Sequence, residues 1–258
     1  MNAKEAEAPA VFEVTRTGRV LVFSFGSVTS GIPLRWAAAQ DRPGVNLLGD
    51  LSHETSHRIA AQMQDARSPG DTAIASIHWG GNWGYDIPEA QIRFAHSLID
   101  EGVDLVYGHS SHHAKAMEVY QGCPIFYGCG DFLTDYEGIR GHEAYRGDLA
   151  VMYLITLDPP QSGLSHSPCN DISGRCTPWR GAQRRSNLDP QDGKLLRCAR
   201  NGMLIEVRLI PLQVRHFRLN RASATDARWL HRMLNRESTP FGTMISLSAD
   251  NSLTVQLP

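Results

Sequence analysis

Two short apolar runs, each stopping at a histidine-containing loop, constrain the fold of this chain most strongly. The first run covers residues 72–77 and stops at 78–81, and the second covers 104–107 and stops at 108–113. Buried strands have this length and composition, and glycine-containing loops end them. Between the runs, residues 88–102 begin with proline, place apolar residues at helical spacing and end with glycine. The sequence therefore predicts two neighbouring strands connected by a helix.

Three histidines follow these strands closely: His78 comes after the first strand, and His109 and His112 come after the second. A strand–helix–strand crossover makes the two strands parallel neighbours, so their carboxyl ends meet at one edge of the sheet. Neutral imidazole is a common ligand of transition metals. We therefore expect His78, His109 and His112 to bind a divalent transition metal. His113 is expected to point elsewhere, because adjacent side chains diverge in an extended loop, and to support the site or contact substrate.

Three motifs around this unit resemble those of a known family. They are His-Trp-Gly at 78–80, Gly-His-x-x-His at 108–112 and Tyr-Gly-Cys-Gly-Asp-Phe at 127–132. With these motifs the chain resembles the capsule-synthesis protein CapA family of poly-γ-glutamate biosynthesis, which is itself similar to the calcineurin-like metallophosphoesterases. Asn82 stands where many members have Glu, and Asp131 stands where many have Asn, so both positions remain polar.

The resemblance implies a fold, a chemistry and a biological setting in capsule biosynthesis. The implied fold is α/β, a metallophosphoesterase-like four-layer αββα sandwich, forming a single CapA-like domain over residues 1–258 with 1–10 flexible. The implied chemistry is metal-dependent, phosphoesterase-like hydrolysis, with Mn, Zn or Fe as the metal and an anionic polymer or a phosphoester as the substrate. Asn82, His113 and Asp131 are then the supporting catalytic residues.

The family's N-terminal motifs, Gly-Asp, Asn-Leu-Glu and Asn-Asn-His, are not found before residue 74. We therefore expect an N-terminally incomplete fold that lacks half of the metal site. Weak catalysis or none is expected from this chain alone, because two-metal hydrolysis needs ligands that hold both metals. A partner chain or an oligomer is expected to cover exposed apolar strands such as residues 20–25.

Two other functions stay open. One is a non-catalytic metal-binding or capsule-assembly component, which would lack a full set of carboxylate ligands. The other is a zinc-dependent peptidase, because residues 53–57 read His-Glu-Thr-Ser-His, and this pattern places two imidazoles and a glutamate on one helix. The pattern falls in the first turns of a predicted polar helix, where free backbone N–H groups disfavour cationic imidazole. A solvated helix start is the favoured interpretation.

Composition and charge limit the class of protein further. The chain has 258 residues, of which 41% are hydrophobic, and this favours one globular α/β domain. A formal net charge of −2 argues against binding to nucleic acid or to an anionic membrane. No apolar run reaches the ~20 residues that span a bilayer. The first residues are acidic and polar, unlike a signal peptide, so a cytoplasmic protein is expected.

Residues 158–201 are rich in Pro, Ser, Asn, Gln and Arg and lack periodicity, which predicts an inserted flexible loop. Limited proteolysis is expected to cut there first, and its arginines are interpreted as solvated in preference to binding an acidic polymer. Five cysteines cannot all pair, so a disulfide framework is not expected. Cys169, Cys176 and Cys198 lack paired C-x-x-C spacing, which disfavours a zinc site.

The rest of the chain predicts strands at both ends and two further helices. A long irregular connection at 26–50 is expected to border a binding site, and Thr225 is expected to cap the last helix. The predicted elements are a hairpin at 12–14 and 20–25, a helix at 52–67, a hairpin at 116–120 and 124–127, strands at 149–157, 202–207 and 211–217, and a hairpin at 244–247 and 253–257.

Overall fold

The computed structural model of the chain describes residues 2–14, 18–158, 197–198 and 202–257. The predicted inserted loop, with Cys169 and Cys176, lies outside this described part apart from one short strand. None of the described helices combines the length and apolar character needed to cross a membrane. The helices are α1 (Ala3–Glu7), α2 (His53–Asp65), α3 (Glu89–Asp100) and α4 (Ala224–Ser238); the strands are β1 (Ala10–Val14), β2 (Gly18–Ser27), β3 (Leu47–Leu48), β4 (Thr72–His78), β5 (Leu105–His109), β6 (Met117–Tyr120), β7 (Cys123–Phe126), β8 (Leu149–Asp158), β9 (Arg197–Cys198), β10 (Gly202–Arg215), β11 (Arg218–Arg221), β12 (Met244–Leu247) and β13 (Leu253–Gln256).

The first sheet contains the predicted strand–helix–strand unit. Its strand order is β1-β2-β4-β5-β7-β6, with β3 beside the end of β2. β2, β4, β5 and β7 run parallel, while β1 and β6 are antiparallel to their neighbours. α3 joins β4 to β5. The prediction of two parallel strands joined by a helix is confirmed, and so are the hairpins β1–β2 and β6–β7.

The first core fixes the end of β4 in place. Alternate residues of this strand, Ala73, Ala75 and Ile77, are fully buried on the side that faces the helices. Phe94 and Leu98, at helical spacing on α3, belong to the same apolar cluster. Apolar residues that recur every two positions on the strand therefore pack against apolar residues that recur every 3.6 positions on the helix.

The second sheet is antiparallel and is built around β10, which pairs with β8 over most of its length. β10 also pairs with β9, β11 and β13, and β12 pairs with β13 as the predicted final hairpin. A second apolar cluster joins the two sheets: Met117 and Phe126 of the first sheet pack in it with Leu209 of the second and with Leu230 and Leu234 of α4. The chain is thus an α/β protein with two sheets that share a core.

Among the strands whose burial is described, β1 is exposed along its whole length, and it is not the strand that was expected to be exposed. Within residues 20–25, which were expected to be uncovered, Leu21, Phe23 and Phe25 are buried in the first core. Along β1, by contrast, all five residues are exposed, including Phe12 at 57%. An edge strand that pairs on one side only leaves its other row of backbone groups open. The burial of β2 comes from the helices packed on it, which a strand pattern alone does not reveal.

Two local features differ from the sequence prediction. Ser223 caps α4 in place of Thr225, because its hydroxyl accepts a hydrogen bond from the backbone N–H of Asp226. Cys123 is disulfide-bonded, in contrast to the absence of a disulfide framework predicted above, whereas Cys129 is a buried free thiol. Disulfide formation depends on which Cβ atoms come close in space, and an odd cysteine count does not report that.

Candidate functional site

The carboxyl ends of three parallel strands form the candidate site. Gly26 of β2 pairs with His78 of β4, and His78 pairs with His109 of β5. Paired residues on neighbouring strands project from the same face of a sheet, so the two imidazoles lie side by side. Their Nδ1 atoms are 3.1 Å apart. The predicted convergence of His78 and His109 at one sheet edge is confirmed.

Both imidazoles of this pair are held in the neutral form. Burial, and next the nearby charge of His78, lower the pKa of His109 to about 4. Burial, and next the charge of His112, also lower the pKa of His78. The Nε2 atom of His109 lies 3.2 Å from the hydroxyl of Ser76. At neutral pH the pair therefore offers ring nitrogens with free lone pairs, the form that binds metals.

His112 is oriented by a carboxylate and a phenol. Its Nδ1 lies 3.0 Å from Oδ2 of Asp131, and the hydroxyl of Tyr136 donates to the same oxygen at 2.7 Å. Burial and the hydrogen bond to Asp131 raise the pKa of Tyr136 to about 12, so the phenol keeps its proton. A histidine that donates Nδ1–H to a carboxylate presents its Nε2 lone pair to the outside. His112 is thus prepared to accept a proton or to bind a cation through Nε2.

The other two predicted supporting residues lie at different places around the site. Asn82 is exposed, and its backbone carbonyl accepts a hydrogen bond from the N–H of His112. His113 is buried, as expected for a side chain that diverges from His112, and its ring stacks on Trp83 and Tyr145. Burial lowers the pKa of His113 to about 4. His113 is thus part of an aromatic cluster behind the site.

The residues present fit a metal ion in part. Two nitrogens 3.1 Å apart, each about 2.0–2.1 Å from a metal, would subtend about 100° at it, close to tetrahedral geometry. Across the described residues, however, no group of three or more His, Cys, Asp or Glu side chains is arranged to hold an ion. His78 and His109 therefore form the fitting pair, and a third ligand requires a side chain such as His112 to turn.

The H-E-x-x-H pattern lies on the surface, in the first turns of α2. His57 is 65% exposed and its Nδ1 pairs with Glu101 at 2.9 Å, while His53 and Glu54 occupy the exposed first turn of α2. An exposed ion pair of this kind is typical of a solvated helix surface. The favoured interpretation as a solvated helix start agrees with this placement.

Several site residues were not identified from the sequence. Thr29 accepts a hydrogen bond from the N–H of Gly80, and the hydroxyl of Ser110 donates to the carbonyl of Gly80. The ring of His142 stacks on Trp83 at 4.0 Å with the planes 5° apart. Thr29 lies in the irregular connection that was expected to border a site, but its approach to the loop after β4 depends on strand register.

A cavity of about 280 Å³ opens beside these residues. Its lining is the loop that follows the site, and it carries three basic or imidazole side chains and three carboxylates: Arg140, His142, Arg146, Glu137, Glu143 and Asp148. Trp83 stacks on His142 and also lies 5.3 Å from the ring of His112, so this aromatic ring contacts both the cavity wall and the site. The guanidinium of Arg146 forms ion pairs with the carboxylates of Asp148 and Asp226.

The three motifs that follow β4, β5 and β7 meet at one sheet edge, and this arrangement is that of a CapA-like protein. The model of the family described as bacterial capsule synthesis protein PGA_cap matches residues 1–136. This is more than half of the chain, and the chain belongs to that family. The resemblance drawn from the motifs is confirmed.

Individual relatives agree with the family match. Over 251 residues, 97% of its length, the chain is 39% identical to a probable polyglutamine synthesis accessory protein of Mycobacterium tuberculosis, and the match covers 56% of that protein. It is 33% identical to the PGA biosynthesis protein CapA of Bacillus subtilis over 36% of this chain and 23% of that one. The capsule biosynthesis protein CapA of Bacillus anthracis is 30% identical over 30% of this chain and 20% of that one. The chain spans about half the length of the mycobacterial relative.

Proposed function

We propose that this chain is a metal-dependent, phosphoesterase-like hydrolase that acts in the synthesis of a poly-γ-glutamate capsule or a similar anionic polymer. The observation that carries the proposal is the pair of neutral imidazoles, His78 and His109, whose Nδ1 atoms lie 3.1 Å apart at the sheet edge. A cation between these two half-buried imidazoles would accept both Nδ1 lone pairs, in place of the single hydrogen bond that the pair shares without it.

His78, His109 and His112 are the proposed ligands, with the first two as the pre-formed pair. When bound, a divalent Mn, Zn or Fe ion would activate water and neutralise charge on a phosphoryl or carbonyl oxygen. Asp131 holds the Nδ1 side of His112, so its Nε2 can either complete the ligand set or carry a proton. Tyr136, which donates to Asp131, keeps that carboxylate in place during either role.

The proposed substrate carries negative charge. Arg140 is exposed at the cavity, beside the carboxylates of Glu137 and Glu143, so the cavity lining by itself does not select an anion. The ring of Trp83 stacks on His142, which lines the cavity, and also contacts the ring of His112. Two of the relatives are named for PGA and capsule biosynthesis, and these names, together with the proposed metal site, support a phosphoester or an anionic polymer as the substrate class.

The four-layer αββα sandwich is part of the proposal. It is supported by two sheets that share a core, with α2 and α3 on the other face of the first sheet. The exposed strand β1 supports a partner chain or an oligomer at that edge.

A second candidate is a non-catalytic metal-binding or assembly component of capsule synthesis. The observation in its favour is the lack, among the described residues, of three side chains arranged around one cation. Two imidazoles hold a metal more loosely than a complete catalytic set does. The two candidates differ in turnover, and metal content alone does not separate them.

Metal content of purified variants tests the proposal. The parental chain, loaded with Mn, Zn or Fe and dialysed, is expected to retain metal, and His78→Ala and His109→Ala are expected to lose it. His57→Ala is the matched control, because it removes an exposed imidazole from the H-E-x-x-H pattern; loss of metal in this variant would favour the peptidase alternative.

Hydrolysis of a chromogenic phosphodiester then separates the two candidates. If His112 is a ligand, His112→Ala loses metal; if it moves a proton, the variant keeps metal and loses turnover. Parental metal content in all three variants at the sheet edge would show that the site is assigned wrongly. Metal binding without turnover by the parental chain would leave the non-catalytic component as the function.

A further inference from the structure

Gly80, two residues after His78, is held by three neighbouring segments. Its φ is 71°, a left-handed conformation that glycine adopts without strain. A Cβ atom at this position would lie 2.7 Å from the side-chain nitrogen of Gln91, which is buried on α3. Glycine is therefore favoured here by backbone conformation, and a Cβ atom would also require the amide end of Gln91 to shift.

Two hydroxyls hold the peptide groups on either side of Gly80. The N–H of Gly80 donates to Oγ1 of Thr29 at 3.1 Å, and the hydroxyl of Ser110 donates to the carbonyl of Gly80 at 3.1 Å. Thr29 follows β2 and Ser110 follows β5, the strands on the two sides of β4. The contacts therefore connect the carboxyl ends of three adjacent strands at one residue.

The backbone around these hydroxyls is itself constrained. Ser110 has a φ of 128°, which is unfavourable for a residue with a side chain. It lies between His109 and His112, so its conformation sets the path from one imidazole to the other. The hydroxyl of Thr29 shares a 2.9 Å hydrogen bond with the hydroxyl of Ser27, a fully buried residue. The hydroxyl of Thr29 is therefore fixed by two hydrogen bonds.

We propose that Thr29 and Ser110 are positioning residues that clamp Gly80 and so hold the imidazoles of His78 and His109 in contact before any ligand arrives. The inference rests on the proposed function in one respect, that the ligand of this pair is a metal ion. Side chains that position metal ligands without touching the metal typically change affinity 10–100-fold when they are removed. Thr29 and Ser110 act through Gly80 and the strand ends, and they do not touch substrate.

The test compares Thr29→Val, Thr29→Ser and Ser110→Ala with the parental chain by two measurements. The first is the ¹⁵N–¹H imidazole spectrum without metal, in which the Nδ1–Nδ1 contact of His78 and His109 gives a shared hydrogen-bond signature. The second is Zn²⁺ affinity by titration calorimetry. Thr156→Val, on an exposed position of β8, is the matched control for removal of a threonine hydroxyl.

Thr29→Val and Ser110→Ala are expected to stay folded, to lose the shared imidazole signature and to bind Zn²⁺ about tenfold more weakly. Thr29→Ser is expected to retain the shared imidazole signature and the parental Zn²⁺ affinity, since it keeps the acceptor oxygen. Thr156→Val is expected to change neither measurement. Retention of the signature by both Thr29→Val and Ser110→Ala would overturn the proposal. If the parental chain binds no Zn²⁺, the proposed function fails, and the metal-free spectrum still decides whether the clamp exists.

Discussion

Asp71 provides a quantitative test of how the first sheet is held together. Its side chain is 2% exposed just before β4, and it accepts hydrogen bonds from the backbone N–H and the guanidinium of Arg19 on β2 and from the N–H of Ser68. The guanidinium hydrogen bond is the largest of the causes that lower the pKa of Asp71 to about 2, against 3.8 for an ordinary aspartate. The carboxylate thus joins the starts of two parallel strands.

The change to test is Asp71→Asn, which keeps the shape and removes the charge. A pKa of about 2 in the folded chain against 3.8 corresponds to roughly 2.4 kcal/mol of folding free energy at neutral pH. Solvent reduces this figure, because 30% of the Arg19 side chain is exposed and the pair lies at the rim of the sheet. We therefore expect a loss of about 1–2 kcal/mol in the free energy of unfolding.

The dependence on pH has a definite sign. A carboxylate whose pKa is lowered by folding stabilises the native state above its unfolded pKa, and the stabilisation disappears as pH falls through the folded value. The parental chain should therefore lose its advantage over Asp71→Asn between about pH 4 and pH 2. Urea unfolding at pH 7, 5, 4 and 3 measures this difference in stability, and Asp41→Asn, at an exposed position, is the control. Equal stability at pH 7, or a difference that does not shrink at pH 3, would refute the reasoning.

Two further predictions concern single residues that the structure makes decisive. A Cβ atom at Gly108 would lie 2.4 Å from the indole nitrogen of Trp79 and 2.6 Å from two backbone oxygens, so Gly108→Ala should destabilise the chain by about 3 kcal/mol in thermal unfolding. Gly49→Ala, with nothing within 4 Å of its Cβ atom, should be close to neutral. Ser223→Ala should cost about 1 kcal/mol through loss of the α4 cap. Thr225→Ala should leave stability unchanged. A larger loss of stability from Thr225→Ala than from Ser223→Ala would show that Thr225 is the capping residue.

The central strand–helix–strand unit was predictable because each of its signals is local. The alternation on β4, the helical spacing on α3 and the glycines that end each element all act within a few residues. Parallel crossover connections then bring His78 and His109 to one edge, since their strands are neighbours and run in the same direction. The family motifs lie at the same edge for that reason.

The contacts that complete the site were not predictable, because they join segments far apart in sequence. Thr29 reaches Gly80 across 51 positions, and this depends on β2 pairing with β4 in one particular register. A shift of one residue would turn every side chain of the strand to the other face. The stacking of His142 on Trp83 depends in the same way on how a long loop folds back over the sheet.

The sequence by itself determined the order of the elements around the site, the class of the fold and the two histidines that share the sheet edge, because hydrophobic period, glycine position and chain direction are properties of short segments. Only the tertiary structure decided that the two Nδ1 atoms lie 3.1 Å apart, that Asp131 and Tyr136 orient His112, and that β1 stays exposed while β2 is buried. Distances between side chains and the burial of a strand follow from packing between distant segments, and local patterns do not specify that packing.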